Sequence, residues 1–511
     1  MTGLETFLHN IALGWQTAIS PATLLYCFLG VLLGTAIGVI PGIGALATMS
    51  LLIPFTFYLD PTVALVMLAG IYYGSTYGGS TASILLNLPG LPHNAVTCLD
   101  GYPMAQQGRA GVALFGTTVA SFVGGSIGIV LLMVFSPILV SVAREFRQPE
   151  YFSLIVMGLV VASAITPGTL VKGLAMVVTG ILIGLIGTDI YTGAFRFTFG
   201  SIELMDGVTI VALAMGLFGV AEVITSVGST GIDKMYRRIG LRSMVPTRDD
   251  VRRSWFPMVR GAGIGAFFGA LPGAGGTIST FISYAVEKRI SKSPSRFGKG
   301  AVEGIMAPEA ANSAGDQTAF MPTLSLGIPG TVNMALILGV MVMHGIQPGP
   351  RLMAEQPGIF WGLIMSFWIG NLLLLVLNIP LVGIWVRILT IPYKLLYPAI
   401  LMFVCIGVFT VRYSPFDVFS VLVLGAVGYG MRLLDFPVAP LLLGFVLGPM
   451  MEEYFRRAMI ISRGSFWIFI ERPLSAAFLG ITVVMLLWSI WSGWKAAQRE
   501  RLLEAEETSE T

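Results

Sequence analysis

Long apolar stretches alternate with short polar breaks along this chain. The apolar segments fall near 21–40, 45–59, 61–88, 110–140, 150–166, 170–187, 207–228, 257–286, 301–343, 358–387, 396–411, 415–431, 437–450 and 474–491. A helix that crosses a bilayer takes about 20 apolar residues, so the pattern predicts an all-α polytopic membrane protein with roughly 10–13 passes. Several segments are too short, or too interrupted by Gly and Pro, to be simple spans. Composition agrees. Of 511 residues, 55% are hydrophobic and 11% charged, whereas a soluble domain carries about 25% charged residues. The 62 glycines and 28 prolines show no collagen triplet, and both residues are more frequent in membrane helices than in soluble ones.

Charge orients the chain. Residues 1–108 contain no Lys or Arg, whereas 229–300 hold 13 of the 30. By the positive-inside rule the basic region faces the cytoplasm, as does the polar tail 492–511. The net charge of +3 is too small, and too scattered, to point to nucleic acid. Cys27, Cys98 and Cys405 stand apart in apolar context, which fits core residues better than a metal cage. No basic segment with a cleavage site suggests a signal peptide.

The chain repeats itself. Gly34, Gly38, Pro41, Gly42 and Gly44 recur as Gly265, Gly269, Pro272, Gly273 and Gly275, each shifted by 231. Leu86-Asn87-Leu88-Pro89-Gly90 is echoed by Leu326-Gly327-Ile328-Pro329-Gly330, shifted by 240, and Asp100-Gly101 by His344-Gly345, shifted by 244. This divides the chain into a first membrane repeat (1–228), a basic cytoplasmic loop (229–256), a second membrane repeat (257–491) and the tail. Residues 257–286 are basic on both flanks. A re-entrant hairpin with its tip at 272–276 would keep both flanks inside, with arms of about 13 residues, roughly 20 Å each. Residues 21–59 lack basic flanks, so the two repeats are expected to be inverted; one long helix kinked at Pro272 is the alternative.

Paired Gly/Pro breaks at matched places in two halves point to a transporter's binding site. Proline removes a backbone donor, and glycine lets a ligand approach the backbone. Broken backbone at membrane depth is tolerated where it is buried or lines a wet cavity. Half-helices leaving such breaks aim free N–H groups at that cavity and can hold an anion without arginine. The expected substrate-binding residues are therefore Pro41, Gly42, Gly44, Asn87, Pro89, Gly90, Pro272, Gly273, Gly275, Gly276, Thr277, Pro329, Gly330 and Thr331. Around the second pair of breaks lie Ser80, Thr81, Ser83 and Asn94 in one copy, and Thr323, Ser325, Thr331 and Asn333 in the other. Such oxygens suit a hard cation such as sodium, although an intramembrane Ser or Thr commonly bonds its own helix.

Ionisable residues in apolar surroundings are functional candidates: His93, Asp100, Asp189, Glu222, Glu303, Glu309, Asp316 and His344. Asp100 precedes a turn-like Gly-Tyr-Pro, so a loop-capping role stands beside a functional one. Glu303 and Glu309 share a helical face only if the chain breaks at Pro308. In Pro308-Glu309-Ala310-Ala311-Asn312, carboxylate and amide could support a cation, or Glu309 could mark a helix start. The expected ion-coupling set is Asn87, Ser83, Glu309, Asn312 and Ser325. No dinucleotide fingerprint in context, phosphate loop, zinc-protease motif or nucleophile elbow occurs, and no cofactor beyond a coupling ion is expected.

These motifs jointly resemble a known family. Pro41-Gly42-Ile43-Gly44, Gly70-Ile71-Tyr72-Tyr73-Gly74, Tyr77-Gly78-Gly79-Ser80, Leu85-Leu86-Asn87-Leu88-Pro89-Gly90 and Asp100-Gly101-Tyr102-Pro103-Met104-Ala105 resemble the large membrane subunit of tripartite tricarboxylate transporters. So do Leu271-Pro272-Gly273-Ala274-Gly275, Phe297-Gly298-Lys299-Gly300, Pro308-Glu309-Ala310-Ala311-Asn312, Leu326-Gly327-Ile328-Pro329-Gly330 and Gly345-Ile346-Gln347-Pro348-Gly349-Pro350. The resemblance covers roughly 20–430. It implies a carboxylate carrier of the bacterial inner membrane, working with a small membrane subunit and a periplasmic solute-binding protein. Uptake would be driven by sodium or protons, with elevator-like alternating access. The sequence departs from the family pattern at Leu91, His93, Asn94, Ser313, Asp316 and Gln317, which leaves the particular carboxylate open. An uncoupled channel or scaffold, and an integral membrane enzyme, are the other readings.

Overall fold

The computed structural model describes residues 3–40, 43–88, 92–166, 169–189, 191–226, 240–271, 275–389, 393–489 and 491. The architecture is all-α. The chain runs through α1 (Gly3–Ala18), α2 (Pro21–Gly38), α3 (Ala45–Thr56), α4 (Pro61–Leu86), α5 (Ala95–Met104) and α6 (Ala110–Ala143). Then come α7 (Gln148–Ile165), α8 (Leu170–Gly184) and a ladder of two-residue strands, Gly187–Thr188 with Phe195–Arg196. Next are α9 (Ile210–Ala214), α10 (Ala221–Ser226), α11 (Arg248–Gly269), α12 (Gly275–Ile290), α13 (Glu303–Thr318), α14 (Phe320–Leu326), α15 (Val332–Met343), α16 (Pro350–Glu355) and α17 (Pro357–Asn378). Helices Val382–Ile388, Tyr393–Arg412, Pro415–Leu433, Val438–Ile461 and Pro473–Ser489 follow.

Among the described residues, five helical runs are long and apolar enough to cross a membrane: Pro21–Gly38, Ala95–Ala143, Pro357–Asn378, Pro415–Leu433 and Val438–Ile461. Helix α4 has 26 residues, about 39 Å at 1.5 Å per residue. It carries Ser75, Thr76, Ser80, Thr81 and Ser83, and these are buried. A polar helix of this length is accommodated by covering it with protein.

The chain forms two compact units, Met1–Ala143 with Thr209–Tyr429, and Arg144–Val208 with Gly430–Thr511. These units cut across the two sequence repeats. In the first unit the repeat appears as the same glycine-packed crossing made twice. Gly30, Gly34 and Gly38 of α2 lie against the backbone of Met67, Ile71 and Ser75 of α4. Gly261, Gly265 and Gly269 of α11 lie against the backbone of Ala307, Ala311 and Gly315 of α13. The offsets between the copies are 231 for the glycines and 240 for their partners, those read in the sequence. Small residues at four-residue spacing let two backbones touch, which is how helices pack where lipid offers no hydrophobic drive. In each copy both numbers rise together, so α2 runs parallel to α4, and α11 to α13.

Tyr73 donates to Gln317 at 3.0 Å and Tyr72 donates to Asp316, while Ser80 donates to Glu309 at 2.8 Å. From Tyr72 to Ser80 along α4 the partner on α13 moves back from Asp316 to Glu309, so these two stretches run antiparallel.

Helix ends follow local chemistry. Ser20 and Asp60 cap α2 and α4, each with a proline in the first turn. The return after α4 is made by Asn87, left-handed at φ 57°, and the matching return after α14 by Gly327 at φ 73°. Asn and Gly are the residues that reach this region at least cost. Helix α11 starts upstream of the expected arm, at Arg248, because Thr247 and Asp250 form a reciprocal capping box. Asp250 also accepts from Arg109 at 2.6 Å. Burial works to raise its pKa, but the Thr247 and Arg109 hydrogen bonds outweigh burial and hold it below the usual carboxylate value.

Two expectations change. Pro308 does not break α13, which is continuous from Glu303 to Thr318. Glu303 and Glu309 therefore face different ways. Glu303 lies 3.5 Å from Arg296, and Glu309 sits mid-helix rather than at a helix start. Asp100 lies within α5, not in a turn, since Pro103 falls late in a ten-residue helix that continues past it.

In the second unit, Gly180 and Gly184 of α8 lie against Leu441 and Phe445 of the Val438–Ile461 helix. Asp189, in the loop after α8, pairs with Arg456 at 3.0 Å and Arg196 at 3.5 Å. The backbone N–H of Tyr191 and the Arg456 guanidinium hold its pKa down at about 2.

Candidate functional site

Helix α13 collects the polar groups of the first unit. Glu309, 2% exposed, accepts from Ser80 at 2.8 Å and Thr97 at 2.6 Å, and Asn94 donates to Ser80 at 2.8 Å. About two helical turns further on, Asp316 accepts from Tyr72. Both carboxylates line a cavity of about 20 Å³, together with Thr76, Ser121, Ser313, Gln317 and Asn371. That volume suits one water-sized occupant. Among the described residues neither carboxylate has an ion-pair partner; the arginines near α13 go to Glu303.

On the same helix, Asn312 is 2% exposed and neither atom of its amide has a hydrogen-bond partner. A buried amide left unpaired is costly. A Cβ placed on Gly276, in the first turn of α12, would sit 2.7 Å from Asn312 Oδ1 and 4.0 Å from Asp316 Oδ1. The missing side chain of Gly276 thus lets the N-terminal turn of α12 close on an unpaired amide, with a carboxylate beyond it, a cradle of polar groups with no room for a Cβ. The Tyr72 hydroxyl has Thr331 and Asn333 as polar neighbours. Thr331 caps α15, accepting from the Met334 N–H at 3.3 Å. Two helix N-termini of the second copy therefore stand beside Asn312, Asp316 and Tyr72, where free N–H groups favour an anion.

From the expected set the structure brings Gly276 to Asn312, and Thr331 to the Tyr72 hydroxyl that bonds Asp316. Gly330 packs near the carbonyls of Gly269 and Ala319. Ser325 is fully buried with an unpartnered hydroxyl. In the first copy, Gly44 caps α3 in extended conformation and accepts from Thr48 at 2.9 Å. Ser83 donates to its own helix, at Gly79 O, and Asn87 is exposed, so neither reaches Glu309 directly. Thr277 and Pro329 follow the two second-copy breaks, and Gly275 opens α12. Pro41, Gly42, Pro89, Gly90, Leu91, Pro272 and Gly273 lie outside the described residues.

Tyr72, Tyr73 and Thr97 were not among the expected residues. The register could have found the first of these. Subtracting 240 from Asn312 and Asp316 gives Tyr72 and Thr76, the positions that face them across the antiparallel pair.

Asp100 is fully buried and ties the copies together away from the cradle. Its Oδ1 accepts the N–H groups of Gly300 and Ala301, both at 2.8 Å, and its Oδ2 accepts from Tyr284 at 2.9 Å. It caps a distant loop instead of its own. Asp100→Ala is expected to strand two buried N–H groups and cost about 3 kcal/mol. Asp100→Asn keeps an acceptor for both and is expected to cost clearly less. Thermal unfolding of the detergent-solubilised protein checks the order.

A membrane protein made of two glycine-packed copies, with interrupted helices around unpaired buried polar groups, has the construction of a membrane carrier. Residues 24–443 match the tripartite tricarboxylate transporter TctA family, and the chain belongs to that family. Two relatives come from Agrobacterium vitis. An uncharacterized 52.8 kDa protein in the TAR-I ttuC' 3' region is 48% identical over 492 residues, which is 95% of this chain and 97% of the relative. An uncharacterized protein in the TAR-II ttuC' 3' region is 50% identical over 226 residues, which is 44% of this chain and 93% of the relative. No solved structure matches the chain.

Proposed function

We propose that the chain is the large subunit of a binding-protein-dependent carrier that imports organic carboxylates across the bacterial inner membrane. A periplasmic solute-binding protein delivers the substrate, and a small membrane subunit completes the complex. Symport with sodium or protons drives uptake, and the two copies act as an inverted pair with elevator-like alternating access. The observation that carries the reading is the Gly276 cradle, where the first turn of α12 meets the unpaired Asn312 amide beside Asp316. Amide and backbone N–H donors complement a carboxylate.

The antiparallel α4–α13 pair supports the inverted arrangement, since repeats related by an axis in the membrane plane place their substrate near the midplane. Glu309 and Asn312 are the members of the ion-coupling set that share a helix beside this cradle. The roles of Asn87, Ser83 and Ser325 await test by substitution. The experiment is uptake of labelled tricarboxylates and related acids into vesicles containing the whole complex. Accumulation above the external concentration, collapsing when the ion gradients are dissipated, is expected. Passive equilibration indifferent to the gradients would favour a channel.

A further inference from the structure

Asp316 borders two polar sites at once. Its Oδ1 lies 4.0 Å from the point that a Gly276 side chain would occupy, beside the unpaired Asn312 amide. The same carboxyl group lines the small cavity that it shares with Glu309. Tyr72 donates to it, and no cation pairs with it among the described residues. A buried carboxylate without a cation is unfavourable, and bringing a second carboxylate against it in a medium of low dielectric is more so. A proton on Asp316 removes the repulsion and supplies an O–H donor to the incoming anion.

We infer that Asp316 is the proton-coupling residue, binding one proton from the outer solution as the carboxylate enters the Gly276–Asn312 cradle and releasing it to the inner solution as the substrate leaves. The inference rests on the reading of the chain as a carboxylate carrier. No bond changes other than the O–H made and broken on Asp316, and one positive charge moves with each anion.

The ionisable surroundings of Asp316 are few. Helix α4 presents Tyr72, Tyr73 and Tyr77, and α13 itself presents Glu309. Helix α5 carries Cys98, Asp100 and Tyr102, with Asp100 spent on Tyr284 and the Gly300–Ala301 backbone. Helices α6 and α14 carry no ionisable residue. Helix α11 meets α13 at this level through Gly269, nine residues or about 13 Å from Arg260, which is paired with Glu287 of α12. Asp316 is thus the titratable group that the cradle and the cavity have in common.

The first measurement is proton uptake by the solubilised whole complex when substrate is added, read with a pH-indicator dye. One proton per bound anion is expected; none bound overturns the inference. The second uses vesicles with symmetrical sodium and an inward proton gradient. Wild-type complex is expected to accumulate substrate about 10-fold per unit of pH difference. Asp316→Asn, which cannot take up a proton, is expected to lose this accumulation, and whatever exchange of labelled for unlabelled substrate it retains is expected to be flat with pH. Proton-driven accumulation by Asp316→Asn at the wild-type level overturns the inference while leaving the carrier reading intact. A wild-type complex that neither exchanges nor accumulates any carboxylate overturns the carrier reading itself.

Discussion

Gly265→Leu is expected to abolish stable, folded protein, while Gly263→Leu two positions away is expected to be nearly silent. A Cβ on Gly265 would fall onto the backbone of Ala311. Backbone cannot swing aside as a side chain can, so α11 and α13 would have to separate along their whole crossing. That crossing positions Asn312 and Asp316, which follow Ala311 on α13. Overpacking at a site with no room to yield costs at least ~3 kcal/mol. Gly263 is exposed, and a Cβ there meets nothing within 4 Å. The same contrast should hold in the first copy for Gly34, which lies against Ile71 of α4. Yield of monodisperse protein and its melting temperature in detergent decide the matter. Equal behaviour of the two variants would refute the backbone crossing.

Gly276→Leu is expected to have the opposite profile, with the fold kept and the ligand lost. Here the added Cβ would meet Asn312 Oδ1 at 2.7 Å, the far end of a side chain that can turn. The leucine then fills the cradle and shields the first turn of α12. Loss of one well-oriented carboxylate contact set, plus steric exclusion, should weaken binding by at least ~100-fold, or about 2.7 kcal/mol. Gly276→Ala should fall between the two.

Much of this was legible in the sequence. The 231 offset named Gly34 and Gly38 with Gly265 and Gly269, glycines that the structure packs against backbone, because a small residue every four positions is demanded by the crossing itself. The absence of positive charge from residues 1–108 and its gathering in 229–300 is what the expected orientation rests on. Other features were hidden because they depend on contacts between distant segments. Asp100 looked like part of a turn, since Gly101 and Pro103 are turn residues, yet the helix tolerates both and the carboxylate serves Gly300 and Ala301 instead. The Pro308 break did not occur because tertiary packing on α6, α11 and α12 outweighs one lost hydrogen bond. Ser83 and Asn87 looked like site residues by their place in a motif, and only coordinates reveal that one hydroxyl turns back on its helix while Ser80, three positions earlier, reaches Glu309.

The claim that the carboxylate sits where the α12 turn meets Asn312 is tested most directly by substrate counterflow in vesicles that hold the whole complex with wild-type chain or with Gly276→Leu. Equal amounts of folded protein in the two preparations are confirmed by their melting temperatures. The account predicts rapid exchange of labelled carboxylate by the wild type and none above background by Gly276→Leu. Undiminished exchange by Gly276→Leu would contradict it.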